Sequence, residues 1–444
     1  MSLPPGPSLP PLLTTAAFVA MPAETISRLY GRYGGIFTIR TVAFGTEIVI
    51  SSPDSIRQVL TGDSDIYGAA EANEALGFLL GDRSLLLLDG PPHTRLRKLM
   101  LPPFHGERLQ PLTSTMRDAT VAGFSHLRPG DEVSLQPLFQ RVTLDIILRA
   151  VLGLSGEEER TAALREALTA MVNYAQSPIG LFLMNPKMTR FEHLPFPTPW
   201  SRLRALMNRA DALLFEHADA RRAQEDRPGD LLDMLLDARD EDGKPMSNKE
   251  LRDQLVTLLL AGHETTATSL CWAMEEILHH PGEVDRLRAE VEEVTSGAPL
   301  TTEHVSRLTR LDSVVRETLR LYPVTTGVGR TLKRPVTIEG YDLPAGVMAA
   351  PYFALLHRRP EIYPDPHSFV PDRFVGKKID PYEWMPFGAG AHRCLGMHFA
   401  LLEMKVVLAT LFANHRLSSV KKKGTTGLRA FVLSPRGGTW ARVN

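Results

Sequence analysis

The decapeptide F-G-A-G-A-H-R-C-L-G at residues 387–396 places glycines around a single cysteine. The glycines allow a tight turn and the close approach of a bulky, flat partner. From Leu395 onward, apolar residues recur at helical spacing, which predicts a helix with Glu403 and Lys405 on its outward face. Cys394 is thereby predicted at a helix N-terminus, where free amides and the helix dipole favour the thiolate. A thiolate held by amide donors is suited to ligating a metal.

The residues alone leave other interpretations of this loop open. It could be a glycine-rich turn that carries an incidental structural cysteine. A dinucleotide-binding fingerprint fits poorly, because Gly388 and Gly390 begin the spacing but Arg393 stands in the place of the third glycine. The thiolate interpretation points to a heme-iron ligand.

A second chemical pattern, A-G-H-E-T-T at residues 261–266, lies in the middle of a predicted helix. Gly262 costs about 1 kcal/mol there relative to Ala, and its small size lets a ligand or another helix approach. The Thr265 hydroxyl can bond back to the Ala261 carbonyl and open a kink that holds a water. Glu264 and Thr265 therefore form an acid and alcohol pair in apolar surroundings.

This pattern also has competing interpretations. His263 and Glu264 could begin a zinc-protease H-E-x-x-H motif, but the fifth residue is Ala267, which excludes it. Glu264 could equally be a satisfied core carboxylate without a chemical role. Cys271, two turns further along, is predicted to serve packing.

The decapeptide resembles the heme-binding signature F-x-x-G-x-x-x-C-x-G of the cytochrome P-450 superfamily. The A-G-H-E-T-T segment is similar to that family's oxygen-activation motif, and Glu317-Thr-Leu-Arg320 matches its E-x-x-R. Pro371-Asp372-Arg373-Phe374 matches the segment that completes a buried Glu-Arg-Arg network in the family. The resemblance extends over nearly the whole chain, and the four motifs follow in the expected order.

The resemblance implies a role for each matching residue. Cys394 is expected to be the proximal iron ligand, and Thr265 and Glu264 to support proton delivery in oxygen activation. Glu317, Arg320 and Arg373 are expected to hold the fold rather than to catalyse. The heme propionates are expected to meet four cations: His93, Arg97, Arg330 and His392. Other expected heme contacts are Phe387, Gly388, Ala261 and Gly396.

Three further cations have two interpretations. Arg95, Lys98 and Arg393 could lie on the proximal side of the heme and meet an acidic electron donor. A solvated helix face explains them equally well.

The fold class implied by the resemblance is α+β, mainly α, with a large helical lobe and a smaller β-rich lobe. We expect one domain over residues 1–444, with residues 1–11 as a Pro-rich extended lead-in. The sequence predicts a hairpin from residues 36–40 and 47–51 and a second β group from residues 336–338 and 347–349. A capping box at Ser247-Asn248-Lys249-Glu250 predicts the start of a helix that runs to His280.

Composition limits the function classes. The chain has 444 residues with 50 Lys and Arg against 51 Asp and Glu, so no global basic field exists to hold nucleic acid. The 2 cysteines cannot form a disulfide framework and fit a reducing compartment. Prolines break the uncharged N-terminal stretch, and its longest unbroken part, residues 12–21, falls short of the roughly 20 residues of a span. The sequence therefore predicts a cytoplasmic protein without a transmembrane anchor.

The substrate pocket is predicted from three apolar segments, which favour a hydrophobic small molecule. The proposed lining residues are Leu76, Phe78, Leu79, Leu181, Phe182, Val324, Thr325 and Val328. Helix core explains several of them equally well. Arg83, Lys187 and Arg190 could anchor a carboxylate, so a long-chain fatty acid is the first candidate, with terpenoids, steroids and polyketides behind it.

The resemblance implies a heme-thiolate monooxygenase that uses heme b and dioxygen. No fused reductase or iron-sulfur cysteine set is recognisable, so electrons are expected from NAD(P)H through a separate ferredoxin or flavodoxin and its reductase. A monomer is expected. The alternatives are a hydrogen-peroxide-driven peroxygenase, a heme-dependent isomerase or dehydratase, and a non-catalytic heme sensor. The pair Glu264 and Thr265 argues against the peroxygenase and the sensor.

Overall fold

The computed structural model describes residues 3–154, 159–177, 179, 198–429 and 432–444, without the side chains of Glu107 and Arg160. The α-helices of these ranges are α1 Pro11–Ala20, α2 Pro22–Tyr33, α3 Pro53–Thr61, α4 Gly77–Leu80, α5 Gly90–Met100, α6 Leu112–Phe124, α7 Leu135–Leu152, α8 Glu159–Ala175, α9 Pro199–Arg222, α10 Leu231–Asp237, α11 Asn248–His279, α12 Glu283–Thr295, α13 Thr302–Arg307, α14 Thr309–Leu321, α15 Phe353–Leu356 and α16 Met397–Asn414.

The β-strands are short and lie mostly in the first and last thirds of the chain. They are β1 Ile36–Thr41, β2 Gly45–Ile50, β3 Tyr67–Gly68, β4 Glu132–Ser134, β5 Arg330–Leu332, β6 Val336–Ile338, β7 Tyr341–Leu343, β8 Met348–Pro351, β9 Leu417–Ser419, β10 Thr426–Arg429, β11 Val432–Pro435 and β12 Trp440–Val443. Helix therefore predominates over strand, and the predicted class, α+β and mainly α, is confirmed.

The chain folds into two compact units. The first unit comprises Met1–Gly68, Leu109–Thr143 and Glu264–Asn444, and the second comprises Ala69–Arg108 and Leu144–His263. Every described strand belongs to the first unit, together with several helices. In the second unit, α8 and α9 pack against each other.

A five-stranded sheet forms the β core of the first unit, in the order β1-β2-β8-β5-β3. The predicted hairpin is confirmed, since β1 and β2 pair antiparallel from Ile36 opposite Ile50 to Thr41 opposite Gly45. β8 joins β2 in parallel. Buried side chains of this sheet pack with α3 in one hydrophobic cluster, which fixes the position of α3.

The prediction for the second β group is wrong in its pairing. β6 pairs antiparallel with β7, which the sequence analysis did not recognise as a strand. The link between them is a tight turn in which Glu339 has φ 48° and Gly340 has φ 80°, as a two-residue hairpin requires. The segment after Gly346 instead forms β8 and pairs with β2 and β5.

The lead-in lies beside β1. The Thr38 amide donates to the Pro5 carbonyl at 2.9 Å, and the Thr38 hydroxyl donates to the Pro4 carbonyl at 2.7 Å. The backbones approach so closely that a Cβ on Gly6 would lie 1.9 Å from the Thr38 oxygen. The first helix begins at Pro11, where proline needs no amide partner.

The long helix α11 begins as predicted. The Ser247 amide donates to Glu250 Oε2 at 2.8 Å, and the Glu250 amide donates to Ser247 Oγ at 3.2 Å, which is a capping box. The helix ends at His279 ahead of Pro281, one residue before the predicted end. It has buried residues around most of its circumference, as expected for a helix that crosses a core.

Helix α16 is nearly all apolar. The stretch Gly390–Asn414 that contains it is the one candidate membrane span, by length and composition, among the described residues, and 67% of its most apolar window is buried. A core helix passes the same test. The predicted outward position of Glu403 is wrong, because this residue is 1% exposed. Lys405 is half-buried and pairs with the partly exposed Asp312 at 3.1 Å.

Candidate functional site

The cysteine loop is a tight turn of the first unit. The Cys394 amide donates to the Phe387 carbonyl at 2.9 Å and so closes the loop. Gly388 and Gly390 have φ of 67° and 69°, which favours glycine at both positions. A Cβ on Gly390 would lie 1.9 Å from the Leu60 oxygen at the end of α3. The loop is therefore fixed against α3 by backbone contact.

Cys394 is an exposed residue of this loop and is not part of a disulfide. Its loop continues through Gly396, the residue that precedes α16, so Cys394 lies three residues before the helix rather than within its first turn. The predicted helix begins two residues later than the sequence indicated. The other cysteine, Cys271, is fully buried, and burial raises the pKa of its thiol, so its predicted packing role is confirmed.

A buried ion network in the same unit brings together three residues predicted to act in concert. Arg320 donates to both oxygens of Glu317, with Nε to Oε2 at 2.7 Å and Nη2 to Oε1 at 2.8 Å, and both side chains are 0% exposed. Arg373 Nε donates to Glu317 Oε1 at 3.0 Å, as does the Val370 amide at 2.8 Å. Arg320 also donates to the His357 carbonyl at 2.8 Å. Every charge in this network has a partner, which a buried charge requires.

His357 connects this network to the chain just before the cysteine loop. Its Nε2 accepts from the Met385 amide at 2.8 Å, so its Nδ1 carries the proton and donates to the Arg320 carbonyl at 3.1 Å. Burial, together with the nearby Arg320 and Arg358, lowers the pKa of His357 to about 3. The sequence analysis missed this residue, and no local pattern distinguishes a bridging histidine from a surface one.

The acid of the A-G-H-E-T-T motif is held by two partners from distant segments. Glu264 Oε2 accepts from Gln140 Nε2 at 2.7 Å, and Glu264 Oε1 accepts from Arg429 Nε at 3.2 Å. The Glu264 side chain is 3% exposed and that of Arg429 is 47% exposed. Neither Gln140 nor Arg429 was predicted, because they are separated from Glu264 by 124 and 165 residues.

The remaining residues of the motif differ in accessibility. Thr265 is half-buried and Ala261 is exposed, although most of α11 around them is buried. They are four residues apart and so lie on one face of the helix. His263 is buried, and its Nδ1 lies 3.4 Å from Gln176 Nε2. A Cβ on Gly262 would lie 3.0 Å from Ile147 Cδ1, so the glycine allows α7 to approach.

Glu403 on α16 is a second buried acid of the first unit. Burial raises the pKa of Glu403 well above its usual value, and a hydrogen bond with Thr266 acts in the opposite direction. Its Oε1 has no hydrogen-bond partner among the described residues. Burial therefore favours the neutral carboxyl of Glu403 over its carboxylate.

The predicted propionate contacts are distributed over both units. His93 is 2% exposed on α5 of the second unit, and Arg97 follows one turn later on the same helix. In the first unit, Arg330 begins β5, is 6% exposed and donates from Nη1 to the Gly329 carbonyl at 2.8 Å. His392 is half-buried in the 3₁₀ turn of the cysteine loop.

The cations considered for an electron donor have partners in their own units. Arg95 Nε pairs with Asp240 at 2.6 Å, and its Nη1 pairs with Glu250 at 2.8 Å. Lys98 pairs with Glu241 at 2.7 Å. Exposed Arg393 contacts the Met397 sulfur at 3.0 Å. Arg95 and Lys98 are therefore each paired with acids of the second unit.

The predicted pocket residues have several environments. In the second unit Leu79 is 2% exposed, Leu76 is half-buried, and the Phe78 ring meets Trp200 edge-on at 5.1 Å between centroids. In the first unit Val324 is buried, Thr325 is exposed and Val328 packs on the β core. Leu181, Phe182, Lys187 and Arg190 lie outside the described residues.

Comparison with known proteins identifies the family. The sequence profile described as "Cytochrome P450" matches residues 4–440. "Putative cytochrome P450 135B1" of Mycobacterium tuberculosis is 38% identical and is aligned over 100% of this chain and 92% of its own length. "Putative cytochrome P450 138" of the same organism is 33% identical, over 98% of this chain and 95% of its own length.

Solved structures have the same fold. The structure titled "Retinoic acid bound cyanobacterial CYP120A1" matches with a TM-score of 0.82 and 25% identity over 100% of both chains. "Crystal structure of cytochrome P450DA heme domain" matches with a TM-score of 0.85 and 24% identity, over 100% of this chain and 97% of that one. With the family profile spanning almost every residue, the conclusion follows that this chain belongs to the cytochrome P450 family.

Proposed function

We propose that this cytochrome P450 monooxygenase hydroxylates a hydrophobic small molecule that carries a carboxylate, with a long-chain fatty acid as the first candidate. In this proposal Cys394 is the thiolate ligand of heme b, and Thr265 and Glu264 serve oxygen activation. The exposed Cys394, in a glycine-rich loop closed by the hydrogen bond from its own amide, is the observation that carries the proposal. Residues 1–444 act as one catalytic domain, which the family match over residues 4–440 supports.

The residues present fit a heme. Cys394 offers a soft sulfur donor on a loop whose backbone packs directly against α3. Ala261 is exposed and Thr265 is half-buried on one face of the helix, so a flat apolar group can lie against that face. Phe387, Gly388 and Gly396 belong to the cysteine loop or its junction with α16 and would border the ring. The cations His93, Arg97, Arg330 and His392 are suited to the propionates.

The heme and the residues of this chain contribute different parts of the proposed chemistry. Heme, when bound, supplies the redox-active iron for a reaction in which R–H, O₂, two electrons and two protons give R–OH and H₂O. Cys394 contributes the sulfur ligand, which donates electron density. The Thr265 hydroxyl would hold a proton donor at the reaction site, and the Glu264 carboxylate would take up a proton from solvent and pass it on to that donor. Glu317, Arg320 and Arg373 hold the segments that precede the loop.

Electrons are proposed to arrive from NAD(P)H through a separate ferredoxin or flavodoxin and its reductase. This chain is aligned over 92% and 95% of the two curated relatives, so those proteins have little room for a fused reductase. Arg393, exposed beside the cysteine, is the cation we propose for contact with an acidic donor. We propose a monomer in the cytoplasm.

The substrate class rests on two supports. The relative crystallised with retinoic acid binds an apolar chain that ends in a carboxylate, the chemistry that fatty acids and terpenoid acids share. In this chain, the exposed Arg83 lies on a backbone fixed to α11, because its amide donates to Asp253 Oδ2 at 3.0 Å and its carbonyl accepts from Gln254. An exposed guanidinium on a backbone fixed in this way is suited to anchoring a carboxylate.

The test is a screen of matched acids and methyl esters, read by the absorption shift that accompanies displacement of water from the iron. Long-chain fatty acids and retinoic acid are expected to shift the spectrum, their esters to shift it less, and Arg83→Gln to weaken acid binding about tenfold. Arg40→Gln, at an exposed site of β1, is the matched control.

Hydroxylation with a surrogate ferredoxin and reductase then establishes the reaction. Equal binding of acids and esters would contradict the carboxylate, and turnover faster with peroxide than with the redox proteins would favour a peroxygenase.

A further inference from the structure

The hairpin formed by β10 and β11, with the segment just before it, lies along the part of α11 that belongs to the first unit. The Trp272 indole donates to the Leu433 carbonyl at 2.8 Å, and the Gly424 amide donates to Glu275 Oε1. At the far end, Arg429 Nε donates to Glu264 Oε1 at 3.2 Å. Three side chains of one helix thus contact one hairpin.

The spacing of these contacts explains which residue reaches the acid. Glu264 and Glu275 are eleven positions apart, which spans roughly 16 Å of helix at 1.5 Å per residue. Gly424 and Arg429 are five positions apart, which spans roughly 16 Å of extended chain at 3.3 Å per residue. Because the two lengths agree, anchoring Gly424 on Glu275 brings the side chain at position 429 to Glu264.

Glu264, Gln140 and Arg429 form a closed ring of hydrogen bonds. Gln140 donates to Glu264 Oε2, Arg429 donates to Glu264 Oε1, and Arg429 Nη2 donates to Gln140 Oε1 at 3.2 Å. Each oxygen of the buried Glu264 carboxylate therefore accepts a hydrogen bond. Arg429 is also the half-exposed member of the ring, so it connects the acid to solvent.

We propose that Arg429 is a positioning residue that holds the Glu264 carboxylate in its working orientation, where that carboxylate takes up protons from solvent. The Arg429 guanidinium keeps its own protons throughout. This inference rests on the proposed role of Glu264. Gln140 alone would leave one carboxylate oxygen without a partner and the acid without a counter-charge. The β10–β11 hairpin is the element that sets the position of Arg429, through Trp272 and Glu275.

The test compares Arg429→Gln, Arg429→Lys and Glu264→Gln in the heme-loaded protein, with a surrogate ferredoxin, its reductase and NADPH. Arg429→Gln is expected to bind heme normally, to release at least threefold more peroxide per NADPH oxidised, and to show a larger slowing of NADPH oxidation in D₂O. Arg429→Lys is expected to restore much of both values, because it keeps the charge. Arg442→Gln, which breaks the exposed ion pair with Glu132, is the matched control and leaves both values unchanged.

A readout independent of turnover checks that the pair exists in solution. Hydrogen exchange of the amides in β10 and β11 is expected to quicken in Arg429→Gln, and in the Glu264→Gln background the same substitution is expected to add little. If amide exchange in Arg429→Gln quickens but the peroxide yield and the isotope effect stay unchanged, Arg429 has only a structural role and the inference is overturned. If Glu264→Gln itself leaves peroxide yield and isotope effect unchanged, the proposed role of Glu264 fails and this inference fails with it. If only Glu264→Gln changes them, the inference about Arg429 alone is wrong.

Discussion

The sulfur of Cys394 and the hydroxyl of Thr265 belong to the same compact unit but to elements of opposite character. The cysteine lies on a glycine-rich turn whose backbone is fixed by α3, whereas the threonine lies in the middle of a long helix. Thr265 is more accessible than the buried Glu264 and Thr266 on either side of it, and Cys394 is exposed next to the buried Leu395.

The first prediction concerns the ligand atom. Cys394→Ser replaces the sulfur by a hydroxyl, so the reduced protein under carbon monoxide is expected to lose the red-shifted absorption of thiolate coordination. Cys271→Ala is the control, since that buried thiol takes part in packing alone, and it is expected to keep the band. An unchanged band in Cys394→Ser would overturn the assignment of Cys394.

Single residues also show where sequence patterns are insufficient. The glycines of the cysteine loop were predictable, because positive φ is a local property. The burial of Glu403 was not predictable. Helical spacing gives the direction in which a side chain points, but it does not tell which other element packs against that side chain. In this fold Thr266 of α11 lies against it. Arg429 was unpredictable for the same reason, since its partner is 165 residues away.

At the scale of elements, the segment from α14 to the cysteine loop is held by one acid. Glu317 accepts hydrogen bonds from Arg320, Arg373 and the Val370 amide, and so ties the end of α14 to the chain that leads to the loop. His357 adds a second connection through Met385. The position of the loop therefore depends on contacts that lie outside it.

The second prediction follows from that arrangement. Glu317→Ala leaves the buried Arg320 guanidinium and the half-buried Arg373 guanidinium without their anion, which costs about 3–5 kcal/mol of stability. The variant is expected to yield little heme-loaded protein, measured as the ratio of heme absorbance to protein. Asp312→Ala on the same helix is the control, because its partly exposed pairs with Arg316 and Lys405 are worth only about 1 kcal/mol. Normal heme loading of Glu317→Ala would refute the role.

Elements with strong local signals were predictable and long-range pairings were not. The capping box and the following proline predicted α11 to within one residue at each end. Strand β6 was correctly located but was assigned the wrong partner strand. Three residues give too little sequence information to decide which of two nearby segments pairs with them. The turn at Glu339 and Gly340 made the local hairpin the better choice. The fold class itself followed from motifs that identify a family.

At the scale of the whole molecule, buried titratable groups set the pH range of stability. His357 has a folded pKa of about 3 against 6.5 when exposed. The unfolded chain therefore binds more protons between these values, so stability present above pH 6.5 is lost as the pH falls towards 3. The loss approaches about 1.4 kcal/mol for each pH unit well inside this window.

The third prediction uses this slope. His357→Gln cannot take up the proton, so its urea midpoint is expected to be lower than that of the parent at pH 7 but to fall less steeply between pH 6.5 and pH 4. His126→Gln, at an exposed site of the first unit, is expected to keep the parental slope. Parallel curves for the parent and His357→Gln would show that this histidine does not govern the acid transition.

The contact between Gly390 and the Leu60 carbonyl has a practical consequence for protein engineering. The backbones at these positions approach so closely that the decapeptide packs directly against the last turn of α3. Transplanting the decapeptide into another scaffold would leave it without this support. A graft that aims to reproduce the electronic properties of the sulfur must carry the end of α3 as well.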